Sequence, residues 1–227
     1  MKPSIALLLW GSILFSFLIS CAPRQDAELP VLLEIVDDNY RISESGLKNF
    51  CASLDIDPYN IRQWENHYLI QLPGKDALAS IDSFRQLFPE LRFTVYDQPM
   101  YVFDRQQNCE EAPVDEWDQV VWSTSLVADT AMQEEYMRYH RTQFDEWPEV
   151  AEGFCRAQFQ RLLLYRSGRQ LLILIYYPKG EDYEALNRLT TLDNPRVDEW
   201  NTLMSRYQVA LDQAPEDEVW IQFTQLP

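Results

Sequence analysis

Hydrophobic positions in the first half of the chain switch between two spacings, which predicts alternating strands and helices. Residues 30–36 and 67–72 are short apolar runs bounded by polar or turn residues, as strands are. Residues 43–54 and 77–87 instead carry apolar side chains three and four positions apart, as one face of a helix does. Residues 28–105 are therefore predicted to form an N-terminal α+β domain, whose role the sequence leaves open.

A second series of elements follows a polar segment, residues 106–116, which is predicted to be a linker. Its predicted strands are 119–126, 159–165, 170–177 and 219–226, and its predicted helices begin near Thr130, Pro148, Asp182 and Asn194. The order β-α-β-β-α-β indicates a ferredoxin-like α+β fold for residues 117–227, with helices on one face of an antiparallel sheet.

A sheet with helices on only one face usually buries its open face against a second copy. The N-terminal half also alternates strands and helices, so one hypothesis is that it is a diverged copy that acts as the partner within the chain. No repeated motif is visible between the halves. The sequence therefore predicts either a homodimer or an intramolecular pseudo-dimer.

The N-terminus has the pattern of a secretion signal. Lys2 precedes an apolar run at 5–19, which is short for a membrane-spanning helix of about 20 residues. The run ends at Leu18-Ile19-Ser20-Cys21, a lipobox in which Cys21 would be acylated. Residues 1–21 are therefore predicted to be a lipoprotein signal peptide, with an uncleaved anchor or an ordinary signal peptide as alternatives.

This signal predicts a protein held at a membrane outside the cytoplasm, on the periplasmic face or the cell surface, through its lipid alone. Composition agrees with a folded domain, since 46% of the residues are hydrophobic and 13% are aromatic. The net charge of −17 argues against nucleic-acid binding, because phosphate contacts require a basic face.

The remaining cysteines predict one disulfide, because an extracytoplasmic location permits it. Cys51 and Cys109 are the expected pair since both precede the second domain, which leaves Cys155 as a buried thiol. The chain contains two histidines, and the cysteine spacings match no zinc pattern, so no metal site is predicted. His67, at the start of a strand, is expected at the surface.

Tyr136 and His140 are the strongest candidates for chemistry. They lie four residues apart on a predicted helix, so both side chains can face one cleft. An imidazole can accept or donate a proton near neutral pH, and a phenol can donate one. Trp147 and Trp200 could supply aromatic faces for a sugar ring, although tyrosine, histidine and tryptophan in such positions are also common core residues.

Several motifs in this half resemble the L-rhamnose mutarotase family. They are Leu126-Val127-x-Asp129, Glu134-Glu135-Tyr136-x-x-Tyr139-His140, Trp147-Pro148-Glu149, Tyr165-Arg166-x-Gly168, Asn194-Pro195-x-Val197-x-Glu199-Trp200 through Met204, and Trp220. They occur in the family's order and cover residues 119–226, nearly the whole family domain. The N-terminal half is not covered.

The resemblance implies a dimeric α+β barrel enzyme that interconverts the α and β anomers of L-rhamnose or a related deoxy sugar without a cofactor. His140 and Tyr136 would be the catalytic acid and base, although the sequence does not assign a proton to each. Trp147, Trp200 and Asn201 would contact the monosaccharide. Asn201 stands where some relatives carry a second tryptophan, which could change the sugar accepted.

The chain also differs from the family between His140 and Trp147, which are separated by three residues more than in the family. If a longer helix absorbs these residues, His140 is expected to turn away while Gln143 takes its depth. A non-catalytic carbohydrate-binding or scaffold lipoprotein is therefore the alternative function. Another enzyme on the same fold, such as an oxygenase-like one, is a third.

Overall fold

The structure is a computed structural model and describes residues 29–39 and 41–226. The signal sequence and the acylated Cys21 lie outside these residues and stay predictions. Within the described ranges, no helix is both long and apolar enough to cross a membrane.

The first half forms a four-stranded antiparallel sheet with two helices. Its elements are β1 (Val31–Val36), α1 (Glu44–Ser53), β2 (Ile61–Trp64), β3 (His67–Leu72), α2 (Ala77–Leu87) and β4 (Arg92–Tyr96). Helix α1 begins after Ser43, whose side chain accepts a hydrogen bond from the Gly46 N–H. The strand order is β4-β1-β3-β2. The strands and helices predicted at residues 30–87 are therefore present.

The second half repeats this strand order with longer elements. They are β6 (Trp117–Leu126), α4 (Thr130–Glu146), α5 (Pro148–Arg156), β7 (Arg161–Ser167), β8 (Gln170–Pro178), α6 (Tyr183–Arg188), α7 (Pro195–Met204), β9 (Gln208–Val209) and β10 (Ile221–Gln225). Their order is β10-β6-β8-β7, with β9 paired to the end of β6. Counted within each half, both sheets therefore run 4-1-3-2.

The two halves share one curled antiparallel sheet. Strand β10 pairs with β2 through Thr224 opposite Gln63 and Gln225 opposite Arg62. The sheet curls so that β4 lies close to β7. Strand β5 (Tyr101–Asp104), predicted as part of the N-terminal domain, pairs with β7 in the second half. The following segment contains helix α3 (Arg105–Asn108), which is held against α5.

Hydrophobic side chains form three clusters around this sheet. One lies under α1 and α2 and includes Leu47 and Phe84, and a second lies under the helices of the other half and includes Phe159. The third joins the two halves on the inner side of the curled sheet, where Leu32 from β1 and Phe223 from β10 belong to the same cluster. The two halves therefore bury apolar surface against each other, which stabilises the folded chain.

A polar cluster accompanies the shared hydrophobic surface. Glu34 is 1% exposed, and its carboxylate accepts hydrogen bonds from the Tyr96 hydroxyl at 2.8 Å and the Gln170 amide at 3.2 Å. The same carboxylate lies 2.7 Å from Nδ1 of His67, whose Nε2 lies 3.1 Å from Oε1 of Gln213. The expectation of a surface His67 is therefore wrong, because partners from both halves enclose it.

The disulfide prediction is also wrong. Cys109 pairs with Cys155 across a Cα–Cα distance of 5.7 Å, because α3 lies against α5. Cys51 instead points from α1 into the first hydrophobic cluster, is 0% exposed and remains a thiol. Burial raises the pKa of this thiol to about 12, so Cys51 is an inert packing residue.

Candidate functional site

A cavity of about 760 Å³ lies between the sheet and the helices of the second half. Strands β6, β7 and β8 supply mainly apolar side chains such as Leu164 and Ile173, whereas α4 and α7 supply aromatic and polar ones. The charged side chains of its lining, apart from a histidine, are Glu184 and Arg188 on α6. Such a chamber suits a small ligand with apolar surface and no net charge.

Helix α4 places three candidate side chains on the cavity wall. It begins after Asp129, whose carboxylate accepts hydrogen bonds from the backbone N–H groups of residues 131 and 132. Tyr136, His140 and Gln143 then follow at spacings of four and three, which keep them on one helical face. The helix is continuous to Glu146, yet His140 still lines the cavity together with Gln143. The extra residues extend the helix without turning His140 away.

His140 is held as a neutral base. Its Nδ1 lies 3.0 Å from the backbone oxygen of Tyr136. Because a carbonyl oxygen only accepts, the neutral ring carries its proton on Nδ1, and Nε2 is left to accept one. Burial lowers the pKa of His140 from 6.5 to about 4, and the hydrogen bond to Tyr136 opposes this only in part. At neutral pH the imidazole can therefore accept a proton on Nε2, whereas its one proton, on Nδ1, is held by the Tyr136 carbonyl.

Tyr136 is prepared for the opposite role. Burial raises the pKa of its hydroxyl, so the phenol stays protonated. The Trp220 indole N–H donates to Oε1 of Gln208 at 3.2 Å, which leaves the Gln208 amide N–H to donate to the Tyr136 hydroxyl. Since the phenol oxygen accepts that bond, its own hydrogen is left to donate into the cavity.

Aromatic rings surround the His140 imidazole. Ring centroids lie 4.3 Å away for Tyr136, 5.3 Å for Trp200 and 5.5 Å for Tyr101. Trp147 does not line the cavity but packs behind Trp200 at 5.6 Å. The structure therefore brings His140, Tyr136, Trp200 and Asn201 to one chamber and places Trp147 one layer behind it.

Sequence reasoning missed several wall residues. Tyr101 comes from β5, before the predicted second domain, and Gln208 comes from the short strand β9. Trp122 on β6 also lines the cavity. No spacing relates these positions to His140, because they reach the cavity only through strand pairing. Alternation along β6 could have indicated that Trp122 shares a face with Val120, but not which cavity that face lines.

Sequence comparisons relate the chain to known proteins. A sequence model of the family described as L-rhamnose mutarotase matches residues 119–226. An L-fucose mutarotase of Xanthomonas campestris pv. campestris is 36% identical over 93 residues, which are 40% of this chain and 72% of the relative. A UPF0734 protein of Dictyostelium discoideum is 29% identical over 97 residues, which are 41% of this chain and 73% of that protein. Through its second half, the chain belongs to the L-rhamnose mutarotase family.

Proposed function

We propose that the protein is an aldose mutarotase that interconverts the α and β anomers of L-rhamnose, L-fucose or a related 6-deoxy sugar. The main support is that one cavity holds the neutral imidazole of His140 and the protonated phenol of Tyr136 on adjacent turns of α4, with Trp200 beside them. Mutarotation needs one group that accepts a proton and one that donates a proton, and these two side chains supply both.

The reaction follows from the two protonation states. Nε2 of His140 takes the proton of the anomeric hydroxyl while the Tyr136 hydroxyl donates its proton to the ring oxygen. The bond between C1 and the ring oxygen breaks, and the open aldehyde rotates about C1–C2. The sugar hydroxyl then attacks the other face of the aldehyde, returning its proton to Tyr136 as the aldehyde oxygen receives the one held by His140. Both side chains end as they began, so no cofactor is consumed.

The cavity lining supports a 6-deoxy sugar. Apolar side chains such as Leu164 and Ile173 can contact the C6 methyl group, and the indole of Trp200 can contact the apolar face of a pyranose. The family description names L-rhamnose and the relative from Xanthomonas is named for L-fucose, which are both 6-deoxy hexoses.

The proposal includes a ferredoxin-like architecture in which the first half is a built-in partner for the second. The equal strand orders, the shared sheet and the common inner cluster support it. The full chain without its signal sequence is then expected to be monomeric by light scattering. A stable dimer of the full chain would contradict the pseudo-dimer arrangement.

The proposal also places the protein at a membrane outside the cytoplasm, held by acylated Cys21. This part rests on the lipobox and the apolar run before it. Labelled palmitate should be incorporated into the wild-type protein but not into Cys21→Ser. Equal labelling of both proteins would contradict it.

Saturation-transfer NMR tests the activity. The protein lacking residues 1–21 is mixed with L-rhamnose, L-fucose or a common hexose, and exchange between anomers is measured. His140→Ala and Tyr136→Phe should each lower the rate at least about a hundredfold, which is the typical contribution of a positioned acid or base. Tyr139→Phe is the matched control, because Tyr139 lies on the same helix but not on the cavity wall.

Absence of exchange on every sugar would contradict the enzyme proposal. Saturable binding of a sugar without exchange would instead support the alternative of a carbohydrate-binding lipoprotein.

A further inference from the structure

Tyr101 enters the site from outside the part of the chain that matches the family. It lies on β5, eighteen residues before the matched segment begins at Gln119, and pairs with Leu164 on β7. Its side chain is 6% exposed and lines the cavity. The segment that precedes the family domain thus supplies part of the cavity wall beside His140, the proposed base.

Specific contacts hold the Tyr101 side chain. Its hydroxyl donates to Oε1 of Gln143 at 2.5 Å, and Nε2 of Gln143 donates to the backbone oxygen of Trp147 at 2.8 Å. The Tyr101 ring stacks on Phe144 at a centroid distance of 5.5 Å and an interplanar angle of 14°. With one end bonded and one face stacked, the ring has a single orientation.

That orientation directs Tyr101 at His140. The two rings meet in a T-shaped contact at an interplanar angle of 83°, and the rings of Tyr136 and Trp200 also contact the imidazole. An imidazole confined by three rings cannot easily rotate to exchange its two nitrogens, and water has less access to it. Both effects matter to a base that must present one particular nitrogen.

We propose that Tyr101 is a positioning residue for His140, which keeps the imidazole desolvated and its Nε2 presented to the sugar. This inference rests on the proposed function for its catalytic consequence, but the effect on the imidazole can be measured without any sugar. It also assigns a role in the site to residues before the family domain.

The titration of His140 isolates this effect. The titratable groups facing it are the phenols of Tyr101 on β5 and Tyr136 on α4, while α7 presents the uncharged Trp200. Burial raises the pKa of both phenols, so they stay neutral from pH 4 to 9. Burial lowers the pKa of His140, and no ionised side chain contributes to this change. A change in water access to the ring should therefore appear directly as a change in its pKa.

The experiment compares Tyr101→Leu, Tyr101→Phe and the matched control Phe103→Leu, which changes a neighbouring core residue of β5 that does not line the cavity. Histidine titrations are followed by NMR, which is simple because the chain contains two histidines and His140→Ala assigns the signal. The pH dependence of anomeric exchange is measured on the same samples.

Tyr101→Leu should raise the pKa of His140 by about one to two units. The acid limb of the pH–rate profile, where exchange slows because His140 is protonated, should move to higher pH by the same amount. Tyr101→Phe, which keeps the ring, and Phe103→Leu should leave both nearly unchanged. A folded Tyr101→Leu protein with an unchanged His140 pKa and acid limb would overturn the proposal. If exchange is absent in the wild-type protein, the mutarotase proposal fails, but the titration still decides the role of Tyr101.

Should Tyr101→Leu not fold, Tyr101→Met carries the same test, because it also removes the ring that faces His140 and replaces it with a flexible apolar side chain. An upward movement of the His140 pKa supports the proposal, and an unchanged pKa overturns it.

Discussion

The partly buried imidazole of His140 allows a quantitative prediction about stability. Burial lowers the pKa of His140 from 6.5 to about 4, so between these values the unfolded chain binds a proton that the folded protein excludes. The free energy of unfolding should therefore fall as the pH drops below 6.5 and stop falling on this account below about 4. Since each pKa unit corresponds to about 1.4 kcal/mol, the total loss should be about 3 kcal/mol.

Replacing His140 by asparagine isolates this contribution. Asparagine does not titrate in this range, whereas His67 and all carboxylates are the same in both proteins and cancel in the difference. Urea denaturation at pH 7, 6, 5 and 4.5 gives the free energy of unfolding of each protein. The wild-type protein should lose about 2–3 kcal/mol more than His140→Asn between pH 7 and 4.5.

Parallel pH profiles for the two proteins would refute this reasoning. They would mean that the His140 ring is hydrated enough to keep its ordinary pKa. The base assigned to the sugar would then be partly protonated at slightly acidic pH, and the proton assignments in the mechanism would lose their support.

Three further predictions concern packing, thiols and the polar cluster. Gly153→Ala should cost about 1–3 kcal/mol in chemical denaturation, because a Cβ there would lie 2.6 Å from a backbone carbonyl oxygen between α6 and α7; a neutral effect would contradict that contact. In the protein lacking residues 1–21, one thiol, Cys51, should react after denaturation without reductant, whereas pairing of Cys51 with Cys109 would make Cys155 the labelled residue in peptide mapping. Glu34→Ala should cost about 3–5 kcal/mol, since it leaves buried donors unpaired, and a loss below about 1 kcal/mol would show that water replaces the carboxylate.

Local patterns in the sequence were sufficient to predict most strands and helices. The runs at 30–36 and 67–72 alternate with helical spacings, and each of these segments forms the predicted element. Pairing between distant strands could not be predicted in the same way. The partner of β5 is β7, and the choice depends on how the sheet curls rather than on any feature of residues 101–104.

The errors have the same origin. Nothing near Cys109 in the sequence indicates that α3 will lie against α5, and so Cys155 was not an obvious partner. His67 appears polar and peripheral in its own strand, but Glu34 on β1 and Gln213 from the second half enclose it. These two partners lie 33 and 146 positions away from His67 in the sequence, so tertiary contacts decide both of its hydrogen bonds.

The site was predictable where it depends on a single helix and unpredictable where it depends on the sheet. Tyr136 and His140 were found from their spacing on α4, whereas Gln208 and Tyr101 reach the cavity on strands. The sequence could indicate the proposed acid and base but not the side chains that surround them. They include Gln208, whose amide donates to the buried phenol, and the rings around the imidazole.

The longer segment between His140 and Trp147 follows the same logic. It forms the last turn and a half of α4 and leaves the spacing between Tyr136 and His140 unchanged. This segment contains Gln143 and Phe144, and the side chains of both contact Tyr101. The extension of α4 and the strand β5 therefore depend on each other. The helix provides Gln143 as hydrogen-bond acceptor and Phe144 as stacking surface, which together fix the Tyr101 ring. Strand β5 in turn provides that ring, which faces His140.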